Sequence, residues 1–350
     1  MQYRKLGSSG LDVSSVCLGS MTWGVQNTQE EADQQIEYAL SKGVNFIDTA
    51  EMYPVPPSQE SYAKTEEIIG NWLGANPQRR KDIVLATKIA GPGIDWIRGG
   101  ENITPEGVKK ALDDSLKRLQ TDYVDLYQIH WPNRPIPHFS RQWPGFQNYA
   151  SVNAEKEKSE MLAILHALDD CVKAGKIRFC GLSDETPWGV NHYLRLSEKH
   201  ALPRMVSIQN EFNLLKWSDW PFLIENCLNE DVAYLPWSPL GGGLLTGKYV
   251  DGARPEGTRW SMLQRNGLFR DTEGSQQAVK ALVDMAKGFG MSPATLSLAW
   301  VNNMQGVTST IIGATSLPQL EENIAAFDVQ LSDEQLAKLA AFTRQYPMTF

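Results

Sequence analysis

The feature that most narrows the fold is a repeated alternation of a short apolar run with a longer segment of helical period, which can be followed through eight strand candidates at 16–19, 45–48, 83–88, 124–130, 177–183, 206–209, 232–237 and 310–313. Such alternation favours a parallel sheet with helices packed outside it. The helix signals are of independent kinds. Thr28 with Glu31 reads as a capping box and Gly43 as the stop; Thr104 with Pro105, Ser292 with Pro293, and Ser332 with Gln335 open others. Val108, Leu112, Leu116 and Leu119 form one apolar stripe. Eight strand-then-helix units without a Ser/Gly linker fit one α/β domain over 1–350, a (β/α)8 TIM barrel, better than two doubly wound halves.

Two segments exceed a minimal barrel. Residues 1–15 alternate around Gly7 and Gly10 and are expected to form a hairpin closing the barrel floor. Residues 131–160, after the fourth strand, are rich in Pro, Asn and aromatics, and a long loop of this kind is usually a lid or binding loop.

Composition removes several classes of function. With 42% hydrophobic and 21% charged residues in 350, the chain can bury a large core and neither disorder nor a membrane span is expected. Forty-one acidic against 33 basic residues give a net charge of −8 with no basic block, so nucleic acid has no electrostatic footprint. Cys17, Cys171, Cys180 and Cys227 are far apart and read as buried, reduced thiols, and the five histidines lack ligand spacing, so no metal is expected. Gly7, Ser8, Ser9, Gly10 and Asp12 break any apolar run a signal peptide would need, which points to the cytoplasm.

Barrel active sites stand at the C-terminal strand ends, here Gly19, Asp48, Lys88, His130, Ser183, Gln209, Trp237 and Gly313. An isolated strand-end Asp or Lys is usually a cap or an ion-pair residue; several ionisable groups aimed at one mouth suggest chemistry. Tyr53 follows Asp48 by five residues and would overhang that mouth. A phenol titrates near ~10, and an adjacent Lys88 ammonium should lower that value, with Asp48 holding the lysine charged and His130 bonded to the phenol or to a substrate oxygen. This is a proton relay without a strong nucleophile, suited to protonating an oxygen that becomes an alcohol while a nicotinamide supplies hydride.

These residues resemble the aldo-keto reductase superfamily, in the branch related to potassium-channel β subunits. The match runs through NFIDTAEMY at 45–53, ATK at 86–88, DLYQIHWP at 125–132, GLSDE at 181–185, IQNEFN at 208–213, WSPLGGGLLTGKY at 237–249 and IIGATSLPQLEEN at 311–323. The resemblance implies a catalytic tetrad of Asp48, Tyr53, Lys88 and His130, with Tyr53 as general acid, and an NADPH-binding barrel without a Rossmann domain; NADH is the other coenzyme to consider. It places Ser20 and Met21 at the coenzyme, Ser183, Asp184 and Gln209 on the carboxamide, and Trp237 against the ring. Ser238, Pro239, Leu240 and Gly242 would approach the pyrophosphate. Lys248, with Arg254 or Arg259, would add positive charge, Gly313, Thr315 and Gln319 would meet the 2′-phosphate, and Glu322 and Asn323 the adenine. Gly242, Gly247 and Lys248 also fit the start of a P-loop, but Tyr249 stands where Ser or Thr must hold Mg²⁺.

Asp184 departs from the family's usual Asn. A carboxylate there would favour the oxidised, cationic nicotinamide; alternatively Asp184 is neutral or caps the helix before Thr186 and Pro187. Trp23, Tyr53, Trp96, Trp131 and Trp143, with Phe146 or Tyr149, are expected to wall a pocket for an apolar or ring-containing carbonyl or alcohol. The expected activity is reversible, NADPH-dependent reduction of an aldehyde or ketone. The alternative is a nicotinamide-binding, redox-sensing regulatory subunit with little turnover. Self-association is compatible with either.

Overall fold

A computed structural model of the chain describes residues 1–262 and 268–350. Two short strands, β1 (Tyr3–Lys5) and β2 (Asp12–Ser14), form an antiparallel hairpin. The barrel follows as β3 (Val16–Gly19), β4 (Phe46–Asp48), β5 (Val84–Ile89), β6 (Val124–Ile129), β7 (Ile177–Ser183), β8 (Met205–Glu211), β9 (Ala233–Trp237) and β10 (Thr310–Ile312). All are parallel, in the order β10-β3-β4-β5-β6-β7-β8-β9. The ring closes through a single parallel bridge between Tyr234 and Val307, with the Thr308 N–H donating to the Tyr234 carbonyl at 2.9 Å. This is the (β/α)8 barrel expected, with strand ends displaced by at most two residues at the mouth.

The hairpin closes the floor. Gly7, at φ +50°, lies so close to the N-terminal ends of β8 and β9 that a Cβ would stand 2.3 Å from the Val206 carbonyl oxygen. Leu6 and Val13 are fully buried and pack with Cys17, Phe46, Ala86, Leu126, Val206 and Leu235 in the lower barrel. That apolar plug confines polar groups to the upper layer.

Among the described residues ten helices surround the strands: α1 (Gln29–Ser41), α2 (Lys64–Ala75), α3 (Pro105–Leu119), α4 (Ala154–Lys173), α5 (Pro187–His200), α6 (Phe222–Glu230), α7 (Glu273–Gly288), α8 (Pro293–Asn303), α9 (Leu317–Ala325) and α10 (Asp333–Gln345). Thr28 and Ser332 complete capping boxes, and Thr104 and Ser292 each accept from a backbone N–H of the first turn. The α3 stripe is buried as its spacing predicts. All four cysteines are free and buried. None of the described helices is long and apolar enough to cross a membrane.

Candidate active site

Parallel register sets the polar layer. Pairing Gly19 with Asp48 and Lys88 with Gln128 brings inward-facing side chains to one height above the apolar plug. Lys88 is fully buried, and its Nζ donates to Asp48 Oδ2 at 2.5 Å and to the Thr49 carbonyl at 2.8 Å. Asp48 Oδ1 accepts from Gln209 Nε2 at 2.9 Å and Gln128 Nε2 at 3.2 Å. A buried ion pair persists only when its remaining lone pairs are satisfied, and these two amides satisfy them. Burial works to discharge Lys88, but Asp48 and then Tyr53 outweigh it and hold its pKa above the ordinary lysine value.

Tyr53 comes to the same point from the loop after β4. The loop is fixed by Glu51, whose Oε1 accepts from the Ala90 N–H at 2.6 Å and pairs with Arg98 at 2.8 Å. The Lys88 ammonium stands 4.8 Å from the centre of the Tyr53 ring, and the His130 ring meets Tyr53 edge-on at 5.5 Å. Asp48, Tyr53, Lys88 and His130 therefore converge. One expectation is corrected: Tyr53 is raised, not lowered, because burial outweighs the opposing effect of Lys88. The phenol keeps its proton at neutral pH. Burial first and Lys88 second push His130 well below the usual histidine range, so its imidazole is neutral, and its Nδ1 has no partner among the described residues.

Across the mouth, Asp184 follows β7 at φ +49° and is buried; its Oδ1 accepts from the Trp237 indole N–H at 3.2 Å. Burial first and Glu211 second push its carboxyl well above the carboxylate range. A neutral carboxylic acid offers an O–H donor and a carbonyl acceptor where an Asn amide offers two N–H donors and a carbonyl acceptor, so the expectation of a negative charge beside the ring does not hold. Nor is Asp184 the helix cap, a role that Thr186 fills at α5. Ser183 is buried beside it, and Gln209 commits its Nε2 to Asp48. Ser20 donates to the Asp48 carbonyl at 2.8 Å, and the Met21 carbonyl accepts from the Val55 N–H at 2.9 Å.

After β9, Ser238 and the run Gly241, Gly242 and Gly243 all have positive φ, at +49°, +57°, +68° and +96°. Such a run turns successive N–H groups toward one side, a geometry that receives anions. Three cations surround it: a Cβ on Gly242 would stand 3.4 Å from Arg259 Nη1 and 3.8 Å from Arg270 Nη1, and one on Gly243 3.2 Å from Lys248 Nζ. Arg270 is paired with Glu211 and Arg254 with Asp271. Arg259 and Lys248 have no carboxylate partner among the described residues. Burial first and Arg270 second pull Arg259 down to about 10, and burial with Arg259 lowers Lys248. Unpaired, crowded cations around a glycine turn suit a dinucleotide phosphate. Pro239 and Leu240 complete that turn.

On the opposite lip, the Thr315 N–H and hydroxyl both donate to Gln319 Oε1 at 3.1 Å, Asn323 Nδ2 donates to the Gly313 carbonyl at 3.2 Å, and Glu322 accepts from Ser292 at 2.5 Å. Gly313, Gln319 and Glu322 are exposed.

The aromatic wall is only partly as expected. Trp131 lies 5.0 Å from the His130 ring and donates to the Pro92 carbonyl at 3.0 Å. Trp23 is fully buried and donates to Gln35 in the outer core, so it is not a pocket residue. Trp96, Trp143, Phe146 and Tyr149 are exposed. The loop instead places Phe139 on Trp237, stacked at 5.6 Å, with Phe269 edge-on to Phe139 at 6.4 Å. It also brings buried His138 to 3.7 Å from Asp184 Oδ1. Its root is tied by Arg134, which pairs bidentately with buried Glu185. The only sequence signal for Phe139 was membership of an aromatic-rich loop, and Trp143 carried that signal equally well.

The chain matches the sequence model of the aldo/keto reductase family over residues 15–344. It is similar to the Tas protein of Escherichia coli K12, at 43% identity over 99% of both chains. It is also similar to the L-glyceraldehyde 3-phosphate reductase of E. coli O157:H7, at 30% identity over 97% of this chain and 91% of that one. A probable voltage-gated potassium channel subunit beta of Arabidopsis thaliana is 28% identical over 94% of this chain and 92% of its own.

Proposed function

The chain belongs to the aldo/keto reductase family and is an NAD(P)H-dependent oxidoreductase; from that premise we propose that it reduces an aldehyde or ketone to the alcohol, reversibly, with NADPH as coenzyme and Tyr53 as general acid. The observation that carries the reading is the buried Lys88–Asp48 pair standing under a phenol that retains its proton, beside a neutral His130. When bound, the reduced nicotinamide supplies the hydride.

The chain's own residues do the rest. His130 orients the carbonyl oxygen without adding charge to the mouth. Tyr53 donates its proton as negative charge develops on that oxygen, and the Lys88 ammonium stabilises the resulting phenolate. Asp48, itself held by Gln128 and Gln209, fixes the ammonium. Ser183, the neutral Asp184 and the free oxygen of Gln209 are suited to the carboxamide, and Trp237 to the ring face. The turn from Ser238 through Gly242 fits the pyrophosphate, and Lys248 with Arg259 directs positive charge at the 2′-phosphate. Gly313, Thr315 and Gln319 take the 2′-phosphate edge, and Glu322 and Asn323 the adenine. Trp131 and Phe139 supply the aromatic wall for a small carbonyl compound.

Tyr53→Phe tests the reading. Deleting a general acid removes roughly 10²–10⁴ of rate, so NADPH-dependent reduction of a panel of aldehydes should fall by that factor while coenzyme affinity, read by fluorescence titration, stays within about twofold. A variant that keeps most of its kcat would remove Tyr53 from the mechanism. Wild-type chain that oxidises at most one NADPH per molecule would favour the regulatory subunit instead.

A further inference from the structure

Gln128 stands on β6 two residues before His130, so the two side chains share the inner face of the barrel. It is fully buried and lies in register with Lys88 on one side and Gly181 on the other. Gly181 leaves it room: a Cβ there would stand 3.2 Å from Gln128 Cγ and 2.3 Å from Ser207 Oγ. The Gln128 amide reaches Asp48, where its Nε2 donates to Oδ1 at 3.2 Å.

Asp48, Gln128 and Gln209 come from β4, β6 and β8, and side chains of alternate strands make up one layer of a barrel. Within this layer the amides orient one another. Gln209 Nε2 donates to Asp48 Oδ1 at 2.9 Å and to Gln128 Oε1 at 3.3 Å, so the Gln128 oxygen is taken and its nitrogen is the atom left to face the carboxylate. Asp48 is thereby divided: one oxygen holds the Lys88 ammonium at 2.5 Å, and the other meets two neutral N–H groups. Gln128 has no hydrogen bond to Tyr53 or His130 among the described residues, so any effect it has on the reaction passes through Asp48.

A buried carboxylate near a phenol opposes the phenolate, and Asp48 does so even as it keeps Lys88 charged. The two N–H groups on Oδ1 offset the part of that charge which the ammonium leaves unmatched. With one of them removed, Asp48 would oppose the phenolate more strongly, and its free lone pair would compete for the ammonium that the phenolate needs. We propose that Gln128 is a positioning residue of the reduction: it holds the charge of Asp48 away from the phenol and so sustains proton donation by Tyr53. The proposal rests on Tyr53 as the general acid.

Gln128→Met keeps the length of the side chain and removes the donor. Its kcat for NADPH-dependent aldehyde reduction should fall at least about tenfold, as loss of a hydrogen bond to a charged group implies, while the KM of the aldehyde and the NADPH affinity read by fluorescence titration stay within about twofold. Gln128→Glu supplies a readout that lost packing would not give. Its carboxyl can donate to Asp48 only while protonated, and burial beside a like charge holds it protonated into the neutral range. Its kcat should lie within about threefold of wild type near pH 6 and fall at least about tenfold through a single ionisation by about pH 9, a limb absent from the wild-type profile. Circular dichroism over the same range checks that the fold persists. Should the methionine variant fail to fold, the glutamate profile decides. Wild-type kcat in Gln128→Met, or a Gln128→Glu profile parallel to that of wild type, would overturn the proposal. Tyr53→Phe separates the two failures: a variant that keeps its kcat removes the general acid itself, whereas an inactive Tyr53→Phe beside unaltered Gln128 variants removes Gln128 alone.

Discussion

The Lys88 ammonium lies 2.5 Å from an oxygen of Asp48 and 4.8 Å from the centre of the Tyr53 ring, so one fully buried cation serves both an ion pair and a phenol. The ion pair and the phenol thus depend on the placement of this one side chain.

Removing the cation should therefore cost stability as well as rate. Lys88→Met leaves Asp48 buried without its counter-charge, a change worth about 3–5 kcal/mol. Urea unfolding should give a loss of that size, and the double variant Lys88→Met, Asp48→Asn should recover a large part of it. A single variant as stable as wild type would show that the ion pair adds nothing to the stability of the fold.

Lys248→Ala should weaken NADPH more than NADH, because only NADPH carries the extra phosphate that an unpaired cation at the glycine turn can meet. A charge-assisted hydrogen bond contributes about 1.5–3 kcal/mol, hence a loss of roughly 10- to 150-fold for NADPH. Arg254→Ala, whose guanidinium is already paired with Asp271, should change little. Fluorescence titrations with both coenzymes test this; equal losses for the two would place Lys248 elsewhere along the dinucleotide.

Asp184→Asn should leave the ratio of NADP⁺ to NADPH affinity within about twofold of wild type at pH 7. Burial and Glu211 keep the carboxyl protonated, so the substitution exchanges one neutral donor and acceptor for another. A drop in NADP⁺ affinity alone would show that the group is ionised.

His138 gives a pH signature. Burial first and Lys216 second push it down to about 3, whereas the unfolded imidazole titrates near ~6.5. The unfolded chain thus binds more protons between those values. The stability that neutral His138 contributes is complete above about pH 6.5 and drains away at about 1.4 kcal/mol per pH unit as the pH falls toward 3. Other buried groups titrate in the same range, so the comparison is with His138→Gln: the difference in unfolding free energy between the two proteins should shift with that slope from pH 6.5 to 5. A flat difference would mean that folded His138 titrates as the unfolded imidazole does.

Much of this architecture was legible because local rules and the fold agreed. The eight strands stand where apolar runs predicted them, and Thr28, Thr104, Ser292 and Ser332 cap the helices they were expected to cap. The convergence of Asp48, Lys88 and His130 was readable because strand ends in a barrel converge by geometry. What escaped notice depends on contacts far apart in sequence and without period. Glu51 holding Arg98, Arg270 pairing with Glu211, and Phe139 reaching Trp237 all arise when loops fold back over the mouth. Trp23 misled for the opposite reason: its place in sequence is beside the mouth, but its side chain turns outward to Gln35. The Tyr53 shift was misjudged in sign because a neighbouring cation can be read from sequence, whereas the depth of burial cannot.

The barrel wall also has a slit. Among the described residues β9 is bridged on this side only to Val307, just ahead of β10, whereas β8 and β9 share five paired positions. The glycine turn leaves from one side of this slit, and residues 313–323 leave from the other. A dinucleotide lying from the first to the second would act as a stitch across it, joining two edges that the backbone alone barely laces together. Amide exchange at Thr308 should therefore be among the fastest in the wall of the free protein and should slow the most when coenzyme is added, since a ligand bound only to the closed ring suppresses every opening that would release it.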